Sequence, residues 1–471
     1  MGVRLGAMDI DGRDRLARHL MGGGGPMRNL AVILALCGLA MLFYASRAAA
    51  QAPPGPMAGA PQDQADVTQH FSRTVTAYTL PPELYEKTRK LEKLKLMFFV
   101  LEPVYGLVVL WLFLRWKLGP KYRNWAESGS RKLFLQVLIF APPFVLTLDV
   151  LSLPVDIIRH QITRIYGLSV QGWGSWSWDW AKGELVNVVV GFILILILYA
   201  VIRVSPRRWW LYFWLASLPL TALLIFLQPV VIDPMFHKFV PMQQKDPALT
   251  VALEQMIHRA GQDIPPERIY WMNASEKVNE LNAYVTGIGA SKRMVVWDTT
   301  LAKMDTQQVV AVCGHEMGHY VLNHIPKGML IEAIASLILF YLLDRLIGGF
   351  IAWRGAAWDI RSVGDLASLP ALLILLSVAG FIVTPAANSL SRYFEHQADQ
   401  YALEVTHGLT PDSGQVAAQT FQILGEVDLE YPDPSPADVL LTYDHPATRD
   451  RVTFSLNYDP WASGGTGEFV H

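Results

Sequence analysis

Residues 185–202 read LVNVVVGFILILILYAVI, running from Leu185 to Ile202 without a charged side chain. A bilayer core about 30 Å thick needs roughly 20 such residues in a helix rising 1.5 Å per residue, so the stretch predicts a membrane span. Working outward, further runs of similar length and apolarity occur at Met97–Leu114, Leu133–Leu153, Trp209–Leu227, Leu330–Ile351 and Leu369–Leu390. Six membrane helices are therefore expected. Aromatic clusters at Trp173–Trp180 and Trp209–Trp210 fall at span ends, where amphipathic rings favour the headgroup layer. Glu102, Asp149 and the pair Asp344 and Arg345 lie within or near spans; charge at that depth faces protein or water, which implies a polar interior.

Composition agrees. Of 471 residues only 17% are charged, against about a quarter in soluble domains. Lys and Arg total 39 against 41 Asp and Glu, for a formal charge of -2, so no basic excess points to nucleic acid, and none is expected as a partner. The two cysteines, Cys37 and Cys313, cannot build a disulfide framework or a Cys-rich metal site, so any metal must use His and carboxylates.

Met27-Arg28-Asn29 opens an apolar run, Leu30–Tyr44, that ends in Ala48-Ala49-Ala50. This pattern marks 1–50 as a leader, either a signal peptide or a first anchor, with Met27 placed as an initiator would be. A Pro/Ala-rich linker (51–80) follows, then membrane helices (81–227), a catalytic segment (228–328), two more membrane helices (329–392), a segment expected to bring the third metal ligand and bind substrate (393–458), and an end expected to lack structure (459–471). The signal-like leader suits a bacterial inner-membrane protein. Orientation signals conflict: Arg115–Lys132 carries six Lys/Arg and Arg203–Arg208 three, which places 228–327 outside, while Lys87, Arg89, Lys90, Lys93 and Lys95 crowd the opposite end of the first span.

The chemistry lies in the polar segments. Asp305 and Gln308 form a capping-box-like start and Pro326 marks the far end, so one helix is expected from Thr306 to about His324. Inside it His315-Glu316-Met317-Gly318-His319 puts two imidazoles four residues apart on one face, where they can converge on Zn²⁺, with Glu316 beside them as general base. Gly318, costing about 1 kcal/mol against Ala in a helix, implies close approach of another element or a substrate. Continuing the same helix puts His324 on the opposite face, away from the metal, and Ile325 occupies the position where a metzincin has its third His. Cys313 reads as a packing residue. A catalytic zinc needs a third protein ligand, and Glu332, Glu395, His396, Asp399 and His445 are candidates. Glu395 and Asp399 share a helical face, as do Arg392 and Glu395, a spacing that suits one ligating carboxylate and a second that orients a histidine from behind. Asn282–Gly287 and Arg293–Trp297 read as a β-hairpin whose edge could accept an extended peptide, with Asn282, Ala283 and Tyr284 as substrate-binding candidates.

Taken together, these residues resemble the integral-membrane zinc metalloproteases of the type I CAAX prenyl endopeptidase group, in peptidase family M48. The resemblance rests on Cys313–Tyr320, on Glu395 to Asp399, on Asp444-His445-Pro446 with Arg451, on Asp233–Phe239, and on Asn282-Ala283-Tyr284 leading to Lys292-Arg293 and Trp297-Asp298-Thr299. It implies a mostly α fold: a multi-span barrel of membrane helices enclosing a chamber, with a zincin-like catalytic core containing a small β-hairpin or sheet. It further implies one Zn²⁺ per chain held by His315, His319 and Glu395, Glu316 as base, Asp399 and Arg392 supporting the ligands, and His445 and Arg451 flanking the scissile peptide. The expected partners are a peptide or protein substrate, membrane-associated in some cases, and the lipid bilayer. Two roles fit, trimming of lipidated C-terminal peptides and quality control of membrane proteins; the bacterial-type leader favours the second. The rival from another class is a channel or transporter with a structural zinc.

Overall fold

The computed structural model describes residues 74–287 and 292–470; the expected leader and most of the linker lie outside them. Long helices form where the apolar runs predict them: α1 (Pro82–Arg115) and, after a shorter α2 (Leu118–Gly129) in the charged connection, α3 (Leu133–Ile165), α4 (Trp173–Val204) and α5 (Trp209–Leu227). A short α6 (Asp233–Phe236) and β1 (Phe239–Pro241) lead into α7 (Pro247–Arg259), β2 (Ile269–Met272), β3 (Ala283–Thr286) and β4 (Arg293–Trp297). Then come α8 (Asp298–Lys303), α9 (Thr306–Val321), α10 (His324–Trp358), α11 (Leu369–Thr406), α12 (Ser413–Val427), α13 (Pro436–Thr442) and α14 (Thr448–Asn457).

Among the described residues five segments are long and apolar enough to cross a bilayer: α1, α3, α4, α5 extended to Phe236, and Leu366–Thr406. The sixth expected span, Leu330–Ile351, is helical throughout within α10 but is not one of these five. With Glu332, Asp344 and Arg345 it is the most charged of the expected spans. Large side chains such as Leu185, Leu223, Leu342 and Ile382 are exposed on these helices, as expected where lipid is the solvent. Inside the bundle, Phe113, Phe140 and Tyr199 are fully buried, and buried Arg123 pairs with Asp365 at 2.6 Å to tie α2 to the start of α11.

The polar segment after α5 is built on a four-stranded mixed sheet in the order β1-β2-β4-β3. The hairpin of β3 with β4 is antiparallel as expected, although its turn, 288–291, lies outside the described residues. Strand β2 joins parallel to β4, and β1 antiparallel to β2. Leu253, Met294, Val309, Cys313, Met317 and Val405 pack this sheet against α7, α9 and α11.

Two helices position the site. Helix α9 starts at a full capping box, Asp305 accepting from Gln308 N and Gln308 accepting from Asp305 N. Helix α11 has 38 residues, about 57 Å of helix, so it outruns a bilayer and carries Glu395 and Asp399 to the side of the sheet. Gly314 and Gly318 let the two axes approach: a Cβ on Gly318 would lie 3.0 Å from Tyr401 Cβ and 3.1 Å from Ala398 Cα. Gly318 is thus explained by a packed helix.

Candidate active site

His315 and His319, one turn apart on α9, bring their Nε2 atoms to 3.2 Å, and Glu395 on α11 places Oε2 3.1 Å from the first and Oε1 3.4 Å from the second. Ligand-type atoms of all three residues fall within 4.8 Å of one another. Glu395 Oε2, buried, finds no hydrogen-bond partner among the described residues. Two imidazole nitrogens facing each other and a carboxylate oxygen that ring nitrogens approach without forming a hydrogen bond make a poor hydrogen-bond network; they are the donor set expected to surround one divalent cation. The residues present fit a metal.

What stands behind the ligands is equally specific. His315 Nδ1 lies 2.8 Å from Asp399 Oδ1, and Arg451 grips that carboxylate with Nε at 2.8 Å and Nη2 at 2.6 Å. Arg451 also covers the Phe421 ring at 4.1 Å. Glu316 borders a cavity of about 760 Å³ that reaches from the metal cluster to Leu91, Leu94, Phe98 and Phe99 on α1. Burial lifts the Glu316 carboxyl above its usual range, and the adjacent histidines offset this in part. His445 Nε2 lies 3.2 Å from Glu395 Oε2 and its Nδ1 2.9 Å from Asp444. Burial disfavours the charged His445 ring, but Asp444 and Glu395 win and raise it above the ordinary histidine value.

Residues 243–457 match the family model of peptidase family M48, and residues 64–238 match the CAAX prenyl protease N-terminal model, described as five membrane helices. An uncharacterized metalloprotease of Bacillus subtilis, YhfN, is 36% identical over 334 residues, 71% of this chain and 76% of that protein. The chain belongs to peptidase family M48. CAAX prenyl protease 1 of Saccharomyces cerevisiae is 24% identical, over 80% of the chain and 86% of that protein. The crystal structure of S. mikatae Ste24p superposes with a TM-score of 0.67 at 18% identity, covering 91% of this chain and 97% of that one. The fold is therefore the chambered helical fold of Ste24p, and the protein is an integral-membrane metalloprotease, not a channel or transporter.

Within this M48 metalloprotease most, but not all, of the expected site residues come together. His315, Glu316, His319, Glu395, Asp399 and His445 lie together; His396, another candidate ligand, packs its ring on Phe454 instead. Arg451 lines the cavity, but Nε and Nη2 are both committed to Asp399, the carboxylate that His315 Nδ1 also meets. Arg392 does not support a metal ligand. It donates to Val439 O, Tyr443 O and Ser389 Oγ, fixing the carbonyls of the segment that leads to His445.

Asn282 borders the cavity at the start of edge strand β3, Ala283 turns its side chain into the core, and half-buried Tyr284 faces Asp233 and Arg293. Cys313 is buried, its thiol pushed up by burial and by Glu316, and it packs in the core.

Two further expectations fail. The helix ends at Val321 rather than His324, because Asn323 turns left-handed (φ 57°) and Pro326 sits in the first turn of α10. That break returns His324 to the site, with Nδ1 3.1 Å from His319 Nδ1. Burial and His319 push His324 down to about 4, so it is neutral. The end of the chain is also structured: the backbone N–H groups of Glu468, Phe469 and Val470 donate to Glu404, which with a relative exposure of 0% needs those donors.

Proposed function

We propose that the chain is a zinc-dependent endopeptidase that cleaves extended peptides within the cavity, with His315, His319 and Glu395 as the zinc ligands. The observation that carries this reading is the convergence of those three side chains beside buried Glu316 at the cavity wall. Two imidazoles and one carboxylate are the ligand set of catalytic rather than structural zinc sites, which keep one position for water or substrate. Zinc held there supplies Lewis acidity towards the scissile carbonyl and lowers the pKa of water.

The protein's own residues do the rest. Glu316 accepts the proton of the attacking water and delivers it to the departing amine; a carboxyl raised by burial suits both transfers. Asn282, at the start of a strand that is an edge among the described residues, aligns the peptide backbone. His445, beside Glu395 and raised above the ordinary histidine value by Asp444 and Glu395, flanks the scissile bond and stabilises the developing oxyanion. Asp399, clamped by Arg451, holds the His315 ring in place.

The apolar stretch of cavity wall formed by Leu91, Leu94, Phe98 and Phe99 favours substrates that bring an apolar group from the membrane side. Relatives named CAAX prenyl protease point the same way. The test is cleavage of a fluorogenic peptide library, with matched prenylated and unprenylated members, by purified protein with and without chelator. Chelator-sensitive cleavage that falls about 10²- to 10⁴-fold in Glu316→Gln is expected. Cleavage indifferent to both would overturn the reading.

A further inference from the structure

The two metal-facing imidazoles are held from behind by different chemistry. His315 Nδ1 donates to Asp399 Oδ1 at 2.8 Å, the carboxylate–histidine pairing common at metal sites. Behind His319 stands another imidazole. His324 Nδ1 is 3.1 Å from His319 Nδ1, and His324 Nε2 is 3.2 Å from Gln397 Oε1. The His324 ring is 4% exposed and stacks on Phe394 at 4.5 Å with 11° between the planes, so it cannot rotate freely to other partners.

Protons along this chain follow from donor and acceptor identity. An amide oxygen only accepts, so His324 Nε2 carries a hydrogen. A neutral imidazole protonated at Nε2 has its lone pair at Nδ1, which accepts from His319 Nδ1–H. His319 Nε2 is then bare, and that is the nitrogen turned towards His315 Nε2 and Glu395. Turning the Gln397 amide over would reverse every assignment and leave a hydrogen on His319 Nε2, where it could not ligate. Protonating both His324 nitrogens would set two N–H groups against each other.

We propose that Gln397 and His324 form a relay that fixes His319 as an Nε2 ligand, making both of them positioning residues for the metal. The inference rests on the zinc reading above. The relay closes on the ligand helix, since Gln397 lies two residues beyond Glu395 on α11, so one helix supplies the third ligand and the acceptor that orients the second. Its Nε2 in turn donates to the Tyr393 hydroxyl at 3.3 Å, so both ends of the amide are engaged. A neutral relay orients His319 without adding a second negative charge beside Glu395, whereas Asp399 behind His315 needs Arg451 to balance it.

The test is the zinc dissociation constant of purified full-length protein, read by competition with a chromophoric chelator and accompanied by metal content at saturating zinc. His324→Leu should weaken zinc binding about 10- to 100-fold. His324→Asn, whose Oδ1 can accept from His319, should recover most of that loss. Gln397→Leu should weaken binding, while Gln397→Glu, a stronger acceptor, should match or exceed the parent. The Gln397 pair lies at a half-buried site and carries the test should His324→Leu fail to fold. Parent-like affinity in His324→Leu or Gln397→Leu, or equal defects in His324→Leu and His324→Asn, would overturn the relay while leaving the zinc reading intact. Failure of the parent to bind zinc stoichiometrically would overturn both.

Discussion

Replacing Gly318 by alanine tests whether the close approach of α9 to α11 sets the metal site. The new Cβ would lie 3.0 Å from Tyr401 Cβ and 3.1 Å from Ala398 Cα, against about 3.5–4.0 Å for an optimal carbon contact. Ala398 Cα is helix backbone and cannot swing aside, so the helices must separate locally by about half an ångström. The shift falls next to the chemistry, since Gly318 precedes His319 and Ala398 precedes Asp399. On stability, overpacking costs about 1–3 kcal/mol, while removing a helical glycine returns about 1 kcal/mol. The net loss should be roughly 0–2 kcal/mol, a small change in melting temperature. On function the loss should be larger: a 1 Å misplacement can cost about 10²-fold, so half that predicts about a tenfold fall in kcat/KM. Gly328→Ala is the control, because nothing lies within 4 Å of its added Cβ. Peptide cleavage and thermal unfolding of both variants provide the comparison; full activity in Gly318→Ala would refute the idea that this contact positions the ligands.

Asp428 predicts a pH dependence of stability. Burial raises its carboxyl to about 8, with Glu280 and Glu430 adding to the effect and the Leu281 N–H opposing it. The folded state then holds a proton that the unfolded chain releases near pH 4, so stability should fall as pH rises from about 4 towards 8. Melting temperatures across that window should decline in the parent and decline less in Asp428→Asn; an equal slope would sink the assignment. Arg451→Met should lower the melting temperature sharply, by on the order of 3 kcal/mol in stability, because Asp399, 2% exposed, would keep only His315 as a partner. An unchanged melting temperature would show that the pair contributes nothing.

Local rules carried much of this architecture. The capping box at Asp305, the four-residue spacing of His315 and His319, and that of Glu395 and Asp399 each depend on one helix, and each is as the periodicity implies. Alternation and turn residues likewise revealed the β3–β4 hairpin. The parallel pairing of β2 with β4 was not legible, because no local pattern specifies which distant strand will be joined. His324 was misplaced for a different reason: 3.6-residue periodicity was carried across a break. Asn323 tolerates the left-handed turn and Pro326 suits a helix's first turn, so the pair is a stop-and-restart signal that could have been read. Arg392 shares a helical face with Glu395, yet its partners are carbonyls at 439 and 443, and shared facing says nothing about which distant backbone arrives there. The same holds for Glu404, whose partners come from the end of the chain.

Metal content of the purified parent and of Glu395→Ala, measured by elemental analysis alongside helicity, probes the centre of the account most directly. One zinc per parent chain and close to none in a still-folded variant is the expected result. A variant that keeps its full zinc would contradict the assignment of His315, His319 and Glu395 as the ligand set.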